Sequence, residues 1–163
     1  MGQNDLSEYV FERDRIEFSL GDTLDMKTGL LLAGLTFLAI QSSSLMASTP
    51  PLPRAQFILQ ALSIAFIVLG GIFCAIELWP RDYMREAMPD EYEVWIAGLD
   101  EYRKQYPDVE IPGLPAARFS SAKQRIQTNG AINKKKSAFM FLAFYSTVAA
   151  FAANLATMTM RLF

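Results

Sequence analysis

The chain has 163 residues, 52 % of them apolar and 20 % charged, and its 15 Lys and Arg against 17 Asp and Glu give a net charge of −2. It contains no histidine and a single cysteine, Cys74. His-dependent triads and an internal disulfide are therefore excluded, and a hydrolase or zinc enzyme is not expected.

Residues 1–27 carry Asp5, Glu8, Glu12, Asp14 and Glu17 ahead of any apolar run, the reverse of a cationic signal peptide, so no cleavage is expected. Leu6, Tyr9, Val10, Ile16, Leu20 and Leu24 recur at three-to-four-residue intervals among charged residues, the pattern of an amphipathic helix. That helix either runs on to about residue 47 or breaks near Gly21, with Asp22 capping a new helix and Asp25 near its positive end. Its apolar stripe packs either on the chain's own soluble insert or on a neighbouring subunit.

Residues 28–53, 55–76 and 137–160 contain no Asp, Glu, Lys or Arg. At about 1.5 Å per residue, each is long enough for a hydrocarbon layer about 30 Å thick. The chain thus reads as an all-α membrane protein with three transmembrane helices, an amphipathic N-terminal helix and a helical cytosolic insert. The expected organisation is an N-terminal helix over 1–27, a transmembrane hairpin over 28–78, an insert over 79–136, a third span over 137–160 and a short tail over 161–163. Pro50, Pro51 and Pro53 place the hairpin turn near 48–54, since proline cannot continue a helix.

Arg13, Arg15 and Lys27 precede the first span, Arg54 alone separates the first two, and ten Lys and Arg lie between the second and third. Cations near span ends stay on the cytoplasmic side, so the N-terminus and insert are expected inside and the C-terminus outside the inner membrane. Within the insert, Pro89 with Asp90 and Glu93 starts a helix carrying Tyr92, Trp95, Ile96, Leu99 and Tyr102, and Tyr106 and Pro107 stop it. Residues 107–115 should be irregular. Ser121 with Gln124 offers the start of a helix leading to the third span, with Asn129 and Gly130 as a candidate interruption. Below sixty residues, the insert needs support from the N-terminal helix or from other subunits.

Inside the spans, Gln41, Gln60 and Asn154 fall at one level in the outer third of the bilayer, where unpaired amides are costly; they either bond to one another or line water. Small residues at four-residue steps, Ala39, Ser43 and Ala47, then Ala61, Ala65, Gly71 and Ala75, then Ala149, Ala153 and Thr157, mark expected lines of helix contact. Glu77 reads as an interfacial charge or as a partner of Lys27 or of a lysine in 134–136. Lys134, Lys135 and Lys136 are placed to anchor the third span on anionic head groups. The competing reading joins them to Arg118, Lys123 and Arg125 as a phosphate-binding pocket, with Trp95, Tyr92 or Tyr102 stacking on a base. No glycine-rich phosphate loop is present, so nucleotide hydrolysis is not expected.

Asp25, Lys27, Thr28 and Gly29, running into Leu30–Ala33, resemble the start of the first span in the SLATT and Pycsar-type transmembrane effectors of bacterial antiphage defence. Pro80 and Arg81 are similar to the step ending the second span of that family, and Asn133 with Lys134–Lys136, leading to Phe139 and Tyr145, to the start of the last. Thr28 departs from the pattern, which has a smaller residue there. The resemblance implies a non-enzymatic, homo-oligomeric inner-membrane effector that a nucleotide second messenger, a cyclic nucleotide for instance, switches to permeabilise or disrupt the bilayer. No cofactor, metal, DNA or RNA is expected. The alternative is a non-catalytic membrane anchor or accessory subunit whose insert docks a protein partner, with the aromatic element 90–106 as the docking helix.

Overall fold

The computed structural model describes residues 3–47, 51–109 and 113–162. Parts of the expected turn (48–50), of the proline-rich loop (110–112) and of the tail (Phe163) lie outside the described residues. Four helices follow in order: α1 (Gln3–Met46), α2 (Arg54–Leu78), α3 (Pro89–Gln105) and α4 (Leu114–Leu162). The described residues contain no strand. Segments of α1, α2 and α4 are long and apolar enough to cross a membrane.

α1 is one helix, so Gly21 and Asp22 do not interrupt it. α4 likewise runs unbroken through Asn129 and Gly130, and it begins at Leu114 rather than at the Ser121 box. Pro115 explains the earlier start. In the first turn its missing N–H costs nothing, and Ala116 and Ala117 are strong helix formers, with the Ala117 N–H bonded to the Gly113 carbonyl at 3.0 Å. α3 starts at Pro89 as expected, but Glu91 rather than Glu93 caps it, accepting the Met88 N–H at 2.6 Å.

Contacts divide the chain into two units. Unit 1 holds α1 up to Ser19 with Asp82–Ala131, and unit 2 holds Leu20–Arg81 with Ile132–Phe163. The membrane-competent unit therefore includes Asp25, Lys27 and Lys134–Lys136, which a division by apolar runs leaves outside.

In unit 1 the insert leans on the N-terminal helix, though not through the apolar stripe. Of that stripe in this unit, only Val10 is buried, while Leu6, Tyr9 and Ile16 are exposed. The contacts are polar and aromatic. Asp14 pairs with the buried Arg125 at 2.7–2.8 Å, and Phe18 meets Tyr83 edge to face with centroids 6.2 Å apart. The extended segment before α3 is held by Asn129, whose side chain accepts the Met84 N–H and donates to the Met84 carbonyl, both at 2.9 Å.

Unit 2 is organised by a seven-residue repeat of inward-facing positions, all buried except the half-buried Ile67 and Leu31. On α2 these are Gln56, Gln60, Ser63, Ile67, Gly70, Cys74 and Glu77; on α1 they are Leu24, Thr28, Leu31, Leu35, Leu38 and Ser42. Alternating steps of three and four are the spacing of a coiled-coil seam. The expected small-residue lines coincide with it only in part: Thr157 is fully buried and Ala39, Gly71, Ala149 and Ala153 are half-buried, but Ser43, Ala61, Ala65 and Ala75 are exposed. Leu30, Phe37, Ile40, Val68, Phe151 and Leu155 also point outward, while the interior adds Thr28, Ser42, Gln60, Ser63, Glu77 and Asn154 to Leu24, Leu35, Leu38 and Cys74. That arrangement suits hydrocarbon as solvent. Several hydroxyls along the spans are satisfied locally, as when Thr36, Ser146 and Thr157 donate to carbonyls four residues back at 2.9, 2.9 and 3.0 Å.

Gly70 sits where α2 approaches its neighbours. A Cβ there would lie 3.1 Å from both Leu35 methyls and 3.3 Å from the Ser146 Cβ, whereas one at Gly71 would meet nothing within 4 Å. Gly70→Leu is expected to destabilise the detergent-solubilised protein by about 1–3 kcal/mol, and Gly71→Ala to leave it within about 1 kcal/mol. Unfolding followed by circular dichroism checks both; equal effects would contradict the close approach at Gly70.

Candidate functional site

Two polar levels lie inside unit 2. The first gathers around Asn154, whose Oδ1 accepts from Gln60 Nε2 at 2.9 Å and whose Nδ2 donates to Ser42 Oγ at 3.0 Å. Ser63 Oγ donates to the Ala150 carbonyl at 3.0 Å and lies 3.5 Å from Ser42 Oγ. Gln60 and Asn154 thus meet, but Gln41 does not join them. It is half-buried, one position off the seam, and Ser42 takes its place.

The second level is ionic. Glu77 is fully enclosed, with neither carboxylate oxygen hydrogen-bonded, and Lys136 Nζ stands 4.0 Å from it while bonding to Asp25. Thr28 is also fully buried, and its hydroxyl has no hydrogen-bond partner. Gln60 and Glu77 are seventeen positions apart on α2, about 25 Å along the axis. Between the levels lies the apolar contact of Leu35, Cys74 and Ala143. Two carboxylates around one ammonium explain why Lys136 is buried at all. A charge leaves water only against well-placed counter-charges.

This corrects the reading of Lys134, Lys135 and Lys136 as one patch. Lys134 and Lys135 are exposed, and Lys136 is an interior ion pair partner, so the run is neither a uniform head-group anchor nor part of the ligand pocket. Glu77 is enclosed between the helices beside Lys136, the alternative in which it partners a lysine of 134–136.

The arginine and aromatic candidates do converge, in unit 1. A cavity of about 320 Å³ is lined by Tyr92, Trp95, Arg118, Ser121 and Arg125, with Arg85 and Glu91 at its side. Tyr92 and Trp95 are one turn apart on α3, and Arg118, Ser121 and Arg125 recur at three-to-four-residue steps on α4, so two helix faces supply the walls. The Arg118 guanidinium lies 5.5 Å from the Phe11 ring centroid and 5.6 Å from that of Tyr92. Lys123 is outside this group, exposed, with its ammonium 4.4 Å from the Phe119 ring.

Each arginine of the cavity already has a carboxylate partner. Arg118 bonds Glu86 at 2.6 Å, Arg85 bonds Glu91 at 3.2 Å, and Arg125 bonds Asp14. The bond from Glu86 pushes the Arg118 guanidinium above its already high ordinary value, so it stays cationic. An anion entering the cavity would exchange with Glu86 or Glu91, both on exposed pairs, rather than meet a bare cation. Asp14, Glu86 and Asn129, which hold this site, carry no motif. Only their spatial partners reveal them.

Of the motif residues, Asp25 belongs to the ionic level. Lys27 and Gly29 are exposed on α1, and Arg81 donates to the Ile76 carbonyl at 3.4 Å just past the end of α2. No protein-family model, curated protein or solved structure matches the chain.

Removing the ammonium between the half-exposed Asp25 and the enclosed Glu77 leaves a buried charge uncompensated. Lys136→Met is therefore expected to destabilise by about 3–5 kcal/mol, and adding Glu77→Gln to recover part of the loss. Lys134→Gln with Lys135→Gln should change stability by less than about 1 kcal/mol. Thermal unfolding in detergent measures all three, and similar effects of the 134/135 and 136 changes would refute the distinction.

Proposed function

We propose that the protein is an oligomeric inner-membrane effector of a bacterial antiphage defence system, activated by a nucleotide second messenger to permeabilise or disrupt the bilayer. The observation that carries this reading is the cavity of unit 1, which combines two stacking side chains, Tyr92 and Trp95, with Arg118 and Arg125. A nucleotide needs those two chemistries together, a π-face for the base and forked donors for the phosphate. The resemblance of residues 25–29, 80–81 and 133–136 to the SLATT and Pycsar-type effectors supports the same role, as do three helices able to cross a membrane. In this reading unit 1 is cytoplasmic and the C-terminus lies outside, following the excess of Lys and Arg in and around the insert.

The mechanism has no covalent step. A phosphate that takes Arg118 from Glu86 favours one arrangement of unit 1, and only such differential affinity can shift a conformational equilibrium. α4 carries Arg118, Ser121 and Arg125 of the cavity and, further along the same helix, Lys136 and Asn154 of the membrane unit's interior. Occupation of the cavity thus acts on a helix that unit 2 also uses.

A second reading, a membrane anchor whose insert docks a protein partner, is favoured by α3. That helix has no buried residue and exposes Val94, Ile96 and Tyr102. Dye release from liposomes holding the purified protein, titrated with a panel of cyclic nucleotides, separates the two. One nucleotide is expected to trigger release, and Arg118→Gln and Trp95→Ala should each weaken the response at least about tenfold with membrane insertion unchanged, the loss of about 1.4 kcal/mol of binding. Silence with every nucleotide, together with a protein that co-purifies through α3, would favour the anchor.

A further inference from the structure

Unit 2 carries a crevice whose lining divides into two chemistries. It has a volume of about 370 Å³ and lies between α1 and α4, walled by Leu30, Leu31, Met140, Phe141 and Phe144, with Lys27 on the side of the ionic level. Leu30, Phe141 and Phe144 are exposed, and Leu31 and Met140 half-buried, so the crevice opens outward on the apolar surface of the unit.

Lys27 makes no ion pair among the described residues. Its neighbouring carboxylates are otherwise occupied or distant from the surface: Asp25 bonds Lys136, and Glu77 is fully enclosed. Lys134 and Lys135, at the same end of α4, are exposed and likewise form no ion pair, while Asp22 is the exposed carboxylate of this region. An unpaired ammonium above a hydrocarbon-lined crevice is complementary to one kind of molecule. A water-soluble anion would leave the crevice empty, and a neutral apolar chain would leave the ammonium unmatched.

We propose that this crevice binds an anionic phospholipid, its headgroup phosphate on Lys27 and an acyl chain along Leu31, Met140 and Phe144. Lys27 is the residue that selects the lipid, and the aromatic walls order its chain. The site is independent of the unit 1 cavity and of any response to nucleotides.

Spin-labelled lipids in vesicles containing the full chain test it, because bound lipid contributes a motionally restricted spectral fraction. Labelled phosphatidylglycerol is expected to exceed phosphatidylcholine in that fraction by about fivefold in relative association, the contribution of one basic side chain near the surface. Lys27→Gln should bring the two lipids close to equality, Lys27→Arg should keep the preference, and Lys134→Gln with Lys135→Gln should keep most of it. Equal restriction of both lipids by the unaltered protein would mean ordinary boundary lipid only and overturn the proposal. A preference that survives Lys27→Gln, or one lost only with Lys134 and Lys135, would overturn it too.

Discussion

Unit 2 depends on the mutual satisfaction of polar side chains that its helices enclose. In water, a three-helix bundle is held by apolar side chains leaving solvent, but hydrocarbon offers no such gain to Leu or Phe, which are as well placed on the outer surface. Association then rests on close contact and on groups that hydrocarbon cannot solvate. Asn154 ties Gln60 of α2 and Ser42 of α1 to α4, and Ser63 adds a bond to the Ala150 carbonyl. At the other end Lys136 of α4 is shared between Asp25 of α1 and Glu77 of α2. Each level joins all three helices, and hydrocarbon offers neither an alternative partner. Register is fixed by the same contacts, because sliding one helix by a turn would strand an amide or a charge.

This inversion explains what could be read from the sequence and what could not. The three apolar runs and the proline-marked start of α3 follow from length and composition, and both ends of α3 lie within a residue of where Pro89 and Tyr106 put them. The seam was not legible in the same way. On α1 the seam is largely periodic leucine, Leu24, Leu31, Leu35 and Leu38, but on α2 a search for apolar periodicity looks for the wrong chemistry, since the inward positions read Gln, Gln, Ser, Ile, Gly, Cys, Glu. What marks them is polarity at steps of four and three inside an otherwise apolar run, and on that pattern Ser42 rather than Gln41 is the matching residue of α1. Lys136 was hidden by its neighbours. Three consecutive lysines look alike in sequence, and only the helical turn, which sends successive residues about 100° apart, puts one inside and two outside.

The cavity of unit 1 obeys the opposite logic. Tyr92, Trp95, Arg118 and Arg125 could be named from residue type, but the carboxylates that hold the arginines come from distant positions, Asp14 on α1 and Glu86 in the segment before α3. Unit 1 contains few enclosed apolar side chains, Val10 and Ala122 among them, so ion pairs, the Asn129 bracket on Met84 and ring contacts carry more of its cohesion than in a typical soluble domain of similar size. A site built from ion pairs is one that a competing ion can rearrange.

The two ionic constellations differ in how easily they yield. Arg118 with Glu86, and Arg85 with Glu91, are pairs whose side chains are 43–59 % exposed, and exposed pairs contribute about 0–1 kcal/mol each. Lys136, by contrast, is 3 % exposed between Asp25 and the wholly enclosed Glu77, where losing one partner costs about 3–5 kcal/mol. Moving a two-state equilibrium from one extreme to the other takes about 5.5 kcal/mol of differential binding. Under the proposed function, trading exposed carboxylates for a phosphate leaves most of the ligand's binding energy to favour the active state. Breaking the Lys136 set in the same step would consume most of it. On that proposal, the membrane helices of one subunit change position with their ion contacts kept, or several occupied subunits together supply what one ligand does not.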